Sequence, residues 1–529
     1  MASLPAVADY VVIGTGSAGA VVASRLSEQS GSTVVVLEAG GPDKNKFIHI
    51  PAAFSKLFQT DSDWNYRTAP QPELGNRKIF YPRGKTLGGS SSMNAMMWVR
   101  GFAADYDQWA AAAGEQWSFA NVAQYFTRIE ALYDAQTDDE GHDGPLTISK
   151  QRSPRHWTRD FLTAALGAGY FVERANTPAP EGFTETRVTQ RNGARCSTAD
   201  AYLRPASKRK NLSVITGANV ERIGFDGTRA RSVSYRHNGQ ARQIQAAKEI
   251  IVCAGAINTP QILMLSGIGD PAELKAAGIP VVAAAPEVGK NLTDHLVSLI
   301  GFSVDSDTLF DAEKPLELLN YLTRRRGMLT SNVGEAYGFV RSRPELDHPD
   351  LEIIFGPAPF FDEGIGPDPT GHAIALGPIL LQPKSRGTVT LDSGDPSGKV
   401  IVDPRYLSDP DGSDRATIMA GLRIAHNIVT TAPLGARLGA FAQPKQEKAT
   451  IEETLVDALT NYSHTLYHPT STCRMGSDSS SVVTPDLKVR GVEGLRVADA
   501  SVMPSIIRGH THAPSVVIGE KAADLIKRG

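Results

Sequence analysis

Cysteine is scarce in this sequence, with three residues among 529 and no C-x-x-C pair. Because Cys196, Cys253 and Cys473 are far apart and odd in number, they encode neither a disulfide framework nor a zinc or iron–sulfur site. Such cysteine usage suits a reducing compartment, so we expect a cytoplasmic protein.

Long hydrophobic runs and an excess of one charge are also missing. No stretch approaches the ~18 apolar residues of a membrane span, and residues 1–5 do not open a secretory signal. The 54 Lys and Arg against 57 Asp and Glu leave a net charge of −3, so the chain has no basic field for nucleic acid or an anionic membrane. With 41% hydrophobic residues, the chain can bury a large core, and its length predicts two or more domains.

A βαβ unit is predicted at the start of the chain. Residues 8–13 form an apolar strand pattern, residues 20–26 a small-residue helix, and residues 34–37 a second strand that ends at Glu38. In the G-x-G-x-x-G pattern between strand and helix, Gly14 makes the turn, Gly16 admits a pyrophosphate and Gly19 packs helix on strand. Glu38 accepts ribose hydroxyls and disfavours a 2′-phosphate. The unit therefore predicts a dinucleotide site that includes Ser17, Ala18 and Ala39, but it does not distinguish FAD from NAD.

The rest of the chain alternates β-rich and mixed segments. Hairpin signals at 226–227 and 238–239 predict a β meander leading into an apolar strand at 250–253, which favours an FAD-type fold. Strands are predicted at 351–355 and 387–391, and helices at 316–325, 415–430 and 515–527. Pro357, Pro359, Pro367 and Pro369 predict irregular walls over a site.

Two longer motifs resemble the signatures of the glucose–methanol–choline (GMC) oxidoreductases. Residues 82–96 (PRGKTLGGSSSMNAM) resemble the first signature and residues 255–269 (GAINTPQILMLSGIG) the second. Residues 288–295 and 498–504 are similar to further landmarks of that family. The resemblance covers Asp9 to Leu525 and is closest to the bacterial choline-dehydrogenase-like alcohol dehydrogenases.

This resemblance implies an α/β fold with two domains. One is a discontinuous Rossmann-like FAD-binding domain, which we predict at 1–155, 196–300 and 464–529. The other is a substrate-binding or cap domain built on an antiparallel sheet flanked by helices, which we predict at 156–195 and 301–463.

The resemblance also implies a bound FAD. Some relatives attach the flavin through a histidine at the position held here by Met93, and a thioether cannot serve as that nucleophile, so we predict non-covalent binding. Besides the βαβ unit, the residues that the resemblance places at the cofactor are Arg83, Leu87, Gly88, Gly89, Ser91, Asn94, Ala95, Met96, Val220, Ala254, Gly255, Asp499, Ala500, His510, Thr511 and His512.

Three of the 12 histidines lie near the C-terminal end: His468, His510 and His512. The resemblance implies that His468 and His510 face the flavin N5, and we expect His468 to be the principal base and His510 its helper. A neutral imidazole is suited to accept a hydroxyl proton near pH 7. Metal binding is the rival, but no carboxylate or cysteine lies at ligand spacing, so we predict no metal. His512 fits a structural and a functional role equally well.

Candidate substrate walls are Trp98, Glu335, Phe360 and Tyr467, with Phe361 beside them. Core packing is the alternative for each aromatic residue. Glu335 fits a cationic alcohol held among aromatic rings, or an ion pair with one of the arginines at 324–326.

We therefore expect FAD-dependent oxidation of a primary alcohol to the aldehyde, with a histidine base and hydride transfer to the flavin. The choline branch has Asn where this chain has His510 and His512, which weakens choline as the substrate. The rivals are an oxidase of the same fold that passes electrons to O2 and forms H2O2, an FAD lyase without net oxidation, and an inactive FAD-binding module. The alcohol, the acceptor (O2 or a quinone-like carrier) and the oligomeric state stay open.

Overall fold

Two large sheets organise the chain in a computed structural model that describes residues 5–137, 139–366 and 370–528. The first sheet combines a parallel part with an antiparallel meander. Its strands, in spatial order, are Leu212–Thr216, Val34–Glu38, Val7–Ile13, Gln240–Val252, Arg229–His237 and Ala218–Asp226, and Leu495–Val497 pairs in parallel with the end of Gln240–Val252. The parallel strands are apolar because helices and loops cover both faces.

The second sheet is antiparallel throughout. Its strands, in spatial order, are Phe441–Gln443, Ile300–Ser303, Ala373–Leu380, Leu351–Gly356, Ala336–Val340 and Gly182–Glu185, and Leu296–Val297 joins Ala373–Leu380 to His464–Thr465. Strand pairs outside the two large sheets are Tyr66–Arg67 with Phe80–Tyr81, Glu130–Leu132 with Leu146–Ile148, Gln190–Arg191 with Ala194–Arg195, Ile268–Gly269 with Ala283–Ala284, and Thr388–Leu391 with Val400–Asp403.

Helices surround both sheets. The α-helices are Gly19–Leu26, Lys46–His49, Ala103–Ala113, Phe119–Ile129, His156–Gly167, Arg204–Ala206, Gly255–Leu265, Pro271–Ala276, Pro315–Arg324, Ser413–Thr430, Ile451–Asp457 and His512–Arg528. Among the described residues, no helix combines the length and the apolar character needed to cross a bilayer. Helices His156–Gly167 and Ser413–Thr430 pack on the second sheet and close its own apolar core.

The predicted elements are found within a few residues of their expected bounds. Both hairpins of the meander form, and its last strand continues into the parallel part of the first sheet. The last helix starts at His512 rather than at residue 515. We expected Pro514 to precede the helix, but a proline in the first turn gives up no hydrogen bond, because the first N–H groups of a helix have no partner within it.

The sheets separate at points that differ from our predicted bounds at 300 and 464. Strands Leu296–Val297 and His464–Thr465, which those bounds assign to the FAD domain, pair in the second sheet. The predicted wall at Pro367 and Pro369 lies outside the described residues. The three cysteines are buried and unpaired.

Candidate active site

A cavity of about 1030 Å³ lies between the two sheets. At one end it is lined by backbone at the tips of the first sheet, including Gly14, Gly16 and Ala254. At the other end it is lined by side chains of the second sheet and its loops, including Val297 and Ile354. The cavity therefore has a nucleotide-like end and a second end of different construction.

Two glycine loops form the first end. An added Cβ at Gly19 would lie 2.1 Å from the Gly14 oxygen, so the third glycine of the fingerprint allows helix and strand to pack closely. Gly89 has φ +53°, and a Cβ there would lie 2.7 Å from Gly16 Cα, so the loop of the first signature rests directly on the fingerprint. A Cβ at Gly16 or Gly255 would meet nothing within 4 Å, because both face the cavity.

Two buried carboxylates fix this end. Glu38 accepts hydrogen bonds from the Thr15 backbone N–H, the Thr15 hydroxyl and the Gly40 N–H. Asp499 accepts from Gly255 N at 2.9 Å, from Thr259 Oγ1 at 2.6 Å and from Ser501 N at 2.8 Å. Burial raises the pKa of both carboxyls, and these hydrogen bonds oppose that rise.

Four histidine and carboxylate side chains meet at the other end. The rings of His468 and His510 are 4.8 Å apart, centroid to centroid, and both line the cavity. Behind them, His295 Nδ1 lies 2.9 Å from His468 Nδ1, and Glu352 Oε1 lies 3.0 Å from His510 Nε2. His295 and Glu352 are fully buried.

These contacts assign the proton positions on His468. The second nitrogen of His295, Nε2, lies 3.1 Å from the Leu381 carbonyl, which only accepts, so this nitrogen carries the proton. Burial lowers the pKa of His295 to about 3, so the ring is neutral and its Nδ1 accepts the bond from His468 Nδ1–H. Burial, with His510 nearby, also lowers the pKa of His468 well below its usual 6.5. His468 is therefore neutral at pH 7 with a free lone pair on Nε2, which is the form a base needs.

The backbone at His468 is also held firmly. Asp294 Oδ1 accepts the His468 N–H at 2.8 Å, and Oδ2 accepts from Tyr81, Tyr406 and Thr465 hydroxyls. The preceding residue, Tyr467, has φ +69°, a conformation that costs energy outside glycine. The Asp294 network compensates for this cost and fixes the position of the imidazole.

Aromatic rings form a wall of the cavity that the histidines also line. Phe54 and Phe360 are 5.9 Å apart, and Phe58 and Tyr467 are 5.8 Å apart, and all four line the cavity. Among the described residues that line the cavity, the acidic ones are Glu38 and Asp499, both at the nucleotide-like end. The histidine end of the cavity wall therefore carries no acidic side chain in the part of the chain that the structure describes. Its polar groups include the imidazoles, Asn332 and the guanidinium of Arg83, which donates to the Tyr467 carbonyl at 2.7 Å.

Comparison with known proteins identifies the family to which this chain belongs. The GMC oxidoreductase family models match residues 8–297 and 383–519. The chain belongs to the GMC oxidoreductase family. A GMC-type oxidoreductase of Mycobacterium bovis, itself described as uncharacterized, is 62% identical over 98% of this chain and 99% of its own. An alcohol dehydrogenase [acceptor] of Pseudomonas putida is 39% identical over 98% and 96%. Pyridoxine 4-oxidase from Mesorbium loti superposes with a TM-score of 0.88 at 29% identity, covering 99% of both chains.

Membership in this family confirms the expected fold and cofactor. The chain is an FAD-dependent oxidoreductase that acts on CH–OH donors, and its cofactor is FAD. The cavity fits this cofactor. Helices Gly255–Leu265 and His512–Arg528 begin at its wall, and Ala18, which directly precedes helix Gly19–Leu26, also lines it; N–H groups at such helix starts favour an anion such as pyrophosphate. His512 Nε2 is buried and has no hydrogen-bond partner among the residues that the structure describes, whereas its Nδ1 lies 2.8 Å from Ser17 Oγ. A polar ligand in the GMC cavity would satisfy that nitrogen.

Most of the residues that we predicted at the cofactor line the GMC cavity. These are Gly14, Gly16, Ser17, Ala18, Glu38, Ala39, Arg83, Gly89, Asn94, Ala95, Met96, Val220, Ala254, Gly255, Asp499, Ala500, His510, Thr511 and His512. Four lie behind the wall instead: Gly19, Leu87, Gly88 and Ser91. Ser91 Oγ, for example, donates to the Gly88 carbonyl at 2.6 Å and so shapes the loop from behind.

Two predicted substrate residues are not at the cavity. Trp98 is fully buried, its Nε1–H donates to Glu130 at 2.7 Å, and its ring packs edge-on against His512. Glu335 is also fully buried and accepts from Ser331, Thr158 and the Arg155 N–H. The predicted pairing of Glu335 with arginines 324–326 is wrong as well, and Phe361 packs over Gly301. Phe360 and Tyr467 do line the cavity.

Sequence reasoning missed His295 and Glu352. His295 closes the motif at 288–295, which we identified as a family landmark without giving any residue in it a role. An Asp-His pair directly before a buried apolar strand is a usable signal, because buried titratable residues need a partner. Glu352 lies in strand Leu351–Gly356, where a charged residue within an apolar run gave the same kind of signal.

Proposed function

We propose that the enzyme oxidises an uncharged, apolar primary alcohol to the aldehyde and passes the electrons to an acceptor other than O2. The observation that carries this proposal is His468, a neutral imidazole with its Nδ1 fixed by His295, in a cavity that aromatic rings also line.

The residues of the site divide the proton handling between them. His468 Nε2 takes the hydroxyl proton of the alcohol, and Nδ1–H remains bonded to His295 while the ring becomes positive. His510 orients the alcohol oxygen, and the buried Glu352 carboxylate stabilises positive charge on that ring. Bound FAD supplies the acceptor for the hydride that leaves the α-carbon. The aromatic wall excludes water, which strengthens these electrostatic interactions.

The walls of the cavity support an apolar substrate. Aromatic faces attract a quaternary ammonium group, and a carboxylate beside them strengthens that attraction by its opposite charge. Here Glu335 is occupied by three donors away from the cavity, and both acidic lining residues lie at the nucleotide end. We therefore expect benzylic or aliphatic alcohols to be oxidised faster than choline.

The relatives support two kinds of electron acceptor. The 39% identical alcohol dehydrogenase [acceptor] favours a dehydrogenase, whereas pyridoxine 4-oxidase, at 29% identity, favours an oxidase. We propose the dehydrogenase because the likeness to it is greater, and we keep the oxidase as the second candidate.

One experiment tests substrate and acceptor together. The purified enzyme is mixed anaerobically with benzyl alcohol, furfuryl alcohol, an aliphatic alcohol series or choline, and the loss of flavin absorbance is followed. Air or a quinone analogue is then admitted. Reduction by apolar alcohols with slow reoxidation in air and fast reoxidation by the quinone supports the proposal. Fast reoxidation in air identifies an oxidase, and reduction by choline alone overturns the proposed substrate class.

We also propose that FAD is bound without a covalent link. Met93 lies at the cavity wall, and its thioether offers no imidazole for attachment. Acid precipitation is therefore expected to leave the yellow colour in the supernatant, whereas colour in the washed pellet would contradict this.

A further inference from the structure

Helix Pro315–Arg324 shows its apolar side to solvent. Leu316, Leu318, Leu319 and Leu322 are 78%, 44%, 57% and 61% exposed. At 100° per residue these four positions share an arc of about 160° on one side of the helix. Exposed leucines are ordinary when single, but a contiguous patch marks an interaction surface.

The other side of this helix is the polar one, and it faces the protein. Tyr321 is buried and its hydroxyl donates to the His49 carbonyl at 3.1 Å. Glu317 accepts the Met328 N–H at 2.8 Å. The helix is therefore fixed in this orientation by specific contacts, and the leucines cannot turn inward without breaking them.

Three consecutive arginines directly follow the leucines in the sequence. Arg324, Arg325 and Arg326 are exposed, and none of them forms an ion pair within the described part of the chain. The nearby acidic side chains are already engaged: Glu313 pairs with Lys56 and Asp311 with Lys314. The net charge of −3 therefore hides a local basic cluster beside an apolar stripe.

We propose that this surface, Leu316 to Arg326, docks on an anionic lipid bilayer. Leucines on one face with adjacent arginines are the features of helices that lie in the interface of anionic membranes. A second copy of the chain is a poorer partner for this surface. A two-fold pairing of these helices places each arginine cluster at the Lys314 end of the other helix, and the carboxylates there already pair with lysines. Lipid phosphates supply the missing negative charge.

Docking in this way would bring the substrate end of the cavity to the membrane. The inner side of the helix packs on a core with Met328 and Leu329, against which Ile50 and Ala52 lie. Ala52 belongs to the turn Pro51–Leu57, whose Phe54 lines the cavity. Only this small core and the segment Pro51–Leu57 separate the docking surface from the aromatic wall, so docking would place the wall near a phase in which apolar alcohols dissolve.

Vesicle flotation with the FAD-loaded enzyme tests the docking. Vesicles of phosphatidylcholine, with and without phosphatidylglycerol, are floated with wild type and with the variants L316Q/L319Q/L322Q and R324Q/R325Q/R326Q. The matched control is I451Q/V456Q, because Ile451 and Val456 are 38% and 44% exposed but lie on a helix with Glu452 and Glu453 in its first turn. Flavin absorbance and the melting temperature show that each variant is folded.

We expect the wild type and the control to float with the phosphatidylglycerol vesicles and high salt to weaken this binding. Both docking variants should bind the phosphatidylglycerol vesicles at least about tenfold more weakly, since each arginine near the lipid headgroups and each leucine inserted into the bilayer contributes separately to binding. Wild type that stays at the bottom with phosphatidylglycerol vesicles, or variants that float equally well, would overturn the proposal. A leucine variant that turns a dimer into a monomer in sedimentation without vesicles would also overturn it, in favour of a second copy.

Discussion

The two ends of the cavity are built in different ways. At the nucleotide end, two glycine loops form much of the wall: Gly14, Gly16 and Gly89 line the cavity and leave the main chain accessible to a ligand. At the catalytic end, side chains form the site: they are His295, Glu352, His468 and His510, which come from four separate segments. Local sequence motifs specify a site that is made of backbone, whereas only the tertiary fold brings together a site that is made of side chains.

Electrostatics separates the two ends as well. The nucleotide end holds two carboxylates, Glu38 and Asp499, each accepting three or more hydrogen bonds. The catalytic end holds a cluster of imidazoles, and the carboxylate of Glu352 faces His510. Substitutions at one end should therefore change cofactor retention and at the other the rate, with little crossover.

The largest effect is expected from H468A. Loss of the base should lower the anaerobic rate of flavin reduction by ~10²–10⁴-fold while the FAD content stays at wild-type level. H510N should cost much less than H510A, because an amide can still hydrogen-bond the alcohol oxygen. Stopped-flow reduction by a saturating alcohol measures both. If H468A reduces at the wild-type rate while H510N is inactive, the two roles are reversed.

A smaller loss is expected from H295A. His295 does not face the substrate, so it acts by positioning His468 and fixing its tautomer, an effect comparable with that of residues that orient metal-bound histidines, about 10–100-fold. H295N keeps an acceptor and a donor and should recover part of the rate. The KM for the alcohol should stay constant. A raised KM with an unchanged rate would show a structural role instead.

At the other end, E38A should act on FAD affinity alone. Removing the carboxylate leaves the N–H groups of Thr15 and Gly40 without a partner, so the Kd for FAD should rise roughly tenfold. With excess FAD the reduction rate should equal that of wild type. Fluorescence titration of the apoprotein gives the Kd. A reduced rate at saturating FAD would mean that the two ends are coupled.

The nucleotide end could largely be predicted from the sequence, whereas the catalytic end could be predicted only in part. The βαβ unit, the meander and the glycine loops could be predicted because periodicity and turn chemistry are local. Trp98 was misassigned because adjacency to the flavin loop does not say to which side of the backbone a side chain points, and here its Nε1–H donates to Glu130 inside the core. The His295–His468 contact spans 173 residues, and no local pattern specifies such a pair.

The smallest effect, and the sharpest test of the catalytic end, is the pH dependence of reduction. Burial and His510 hold the pKa of His468 well below 6.5, so the base stays neutral, and its activity should be lost only as the pH falls through that lowered pKa. Between pH 8 and pH 6 the limiting reduction rate should change less than about twofold, whereas a base with the ordinary pKa would lose about three-quarters of its active form. In H510N the contribution of His510 to the lowered pKa of His468 is absent, so the acid limb should move upward toward pH 6.5. A wild-type limb centred near pH 6.5, or no movement in H510N, would mean that His468 is not the buried neutral base that its contacts with His295 indicate.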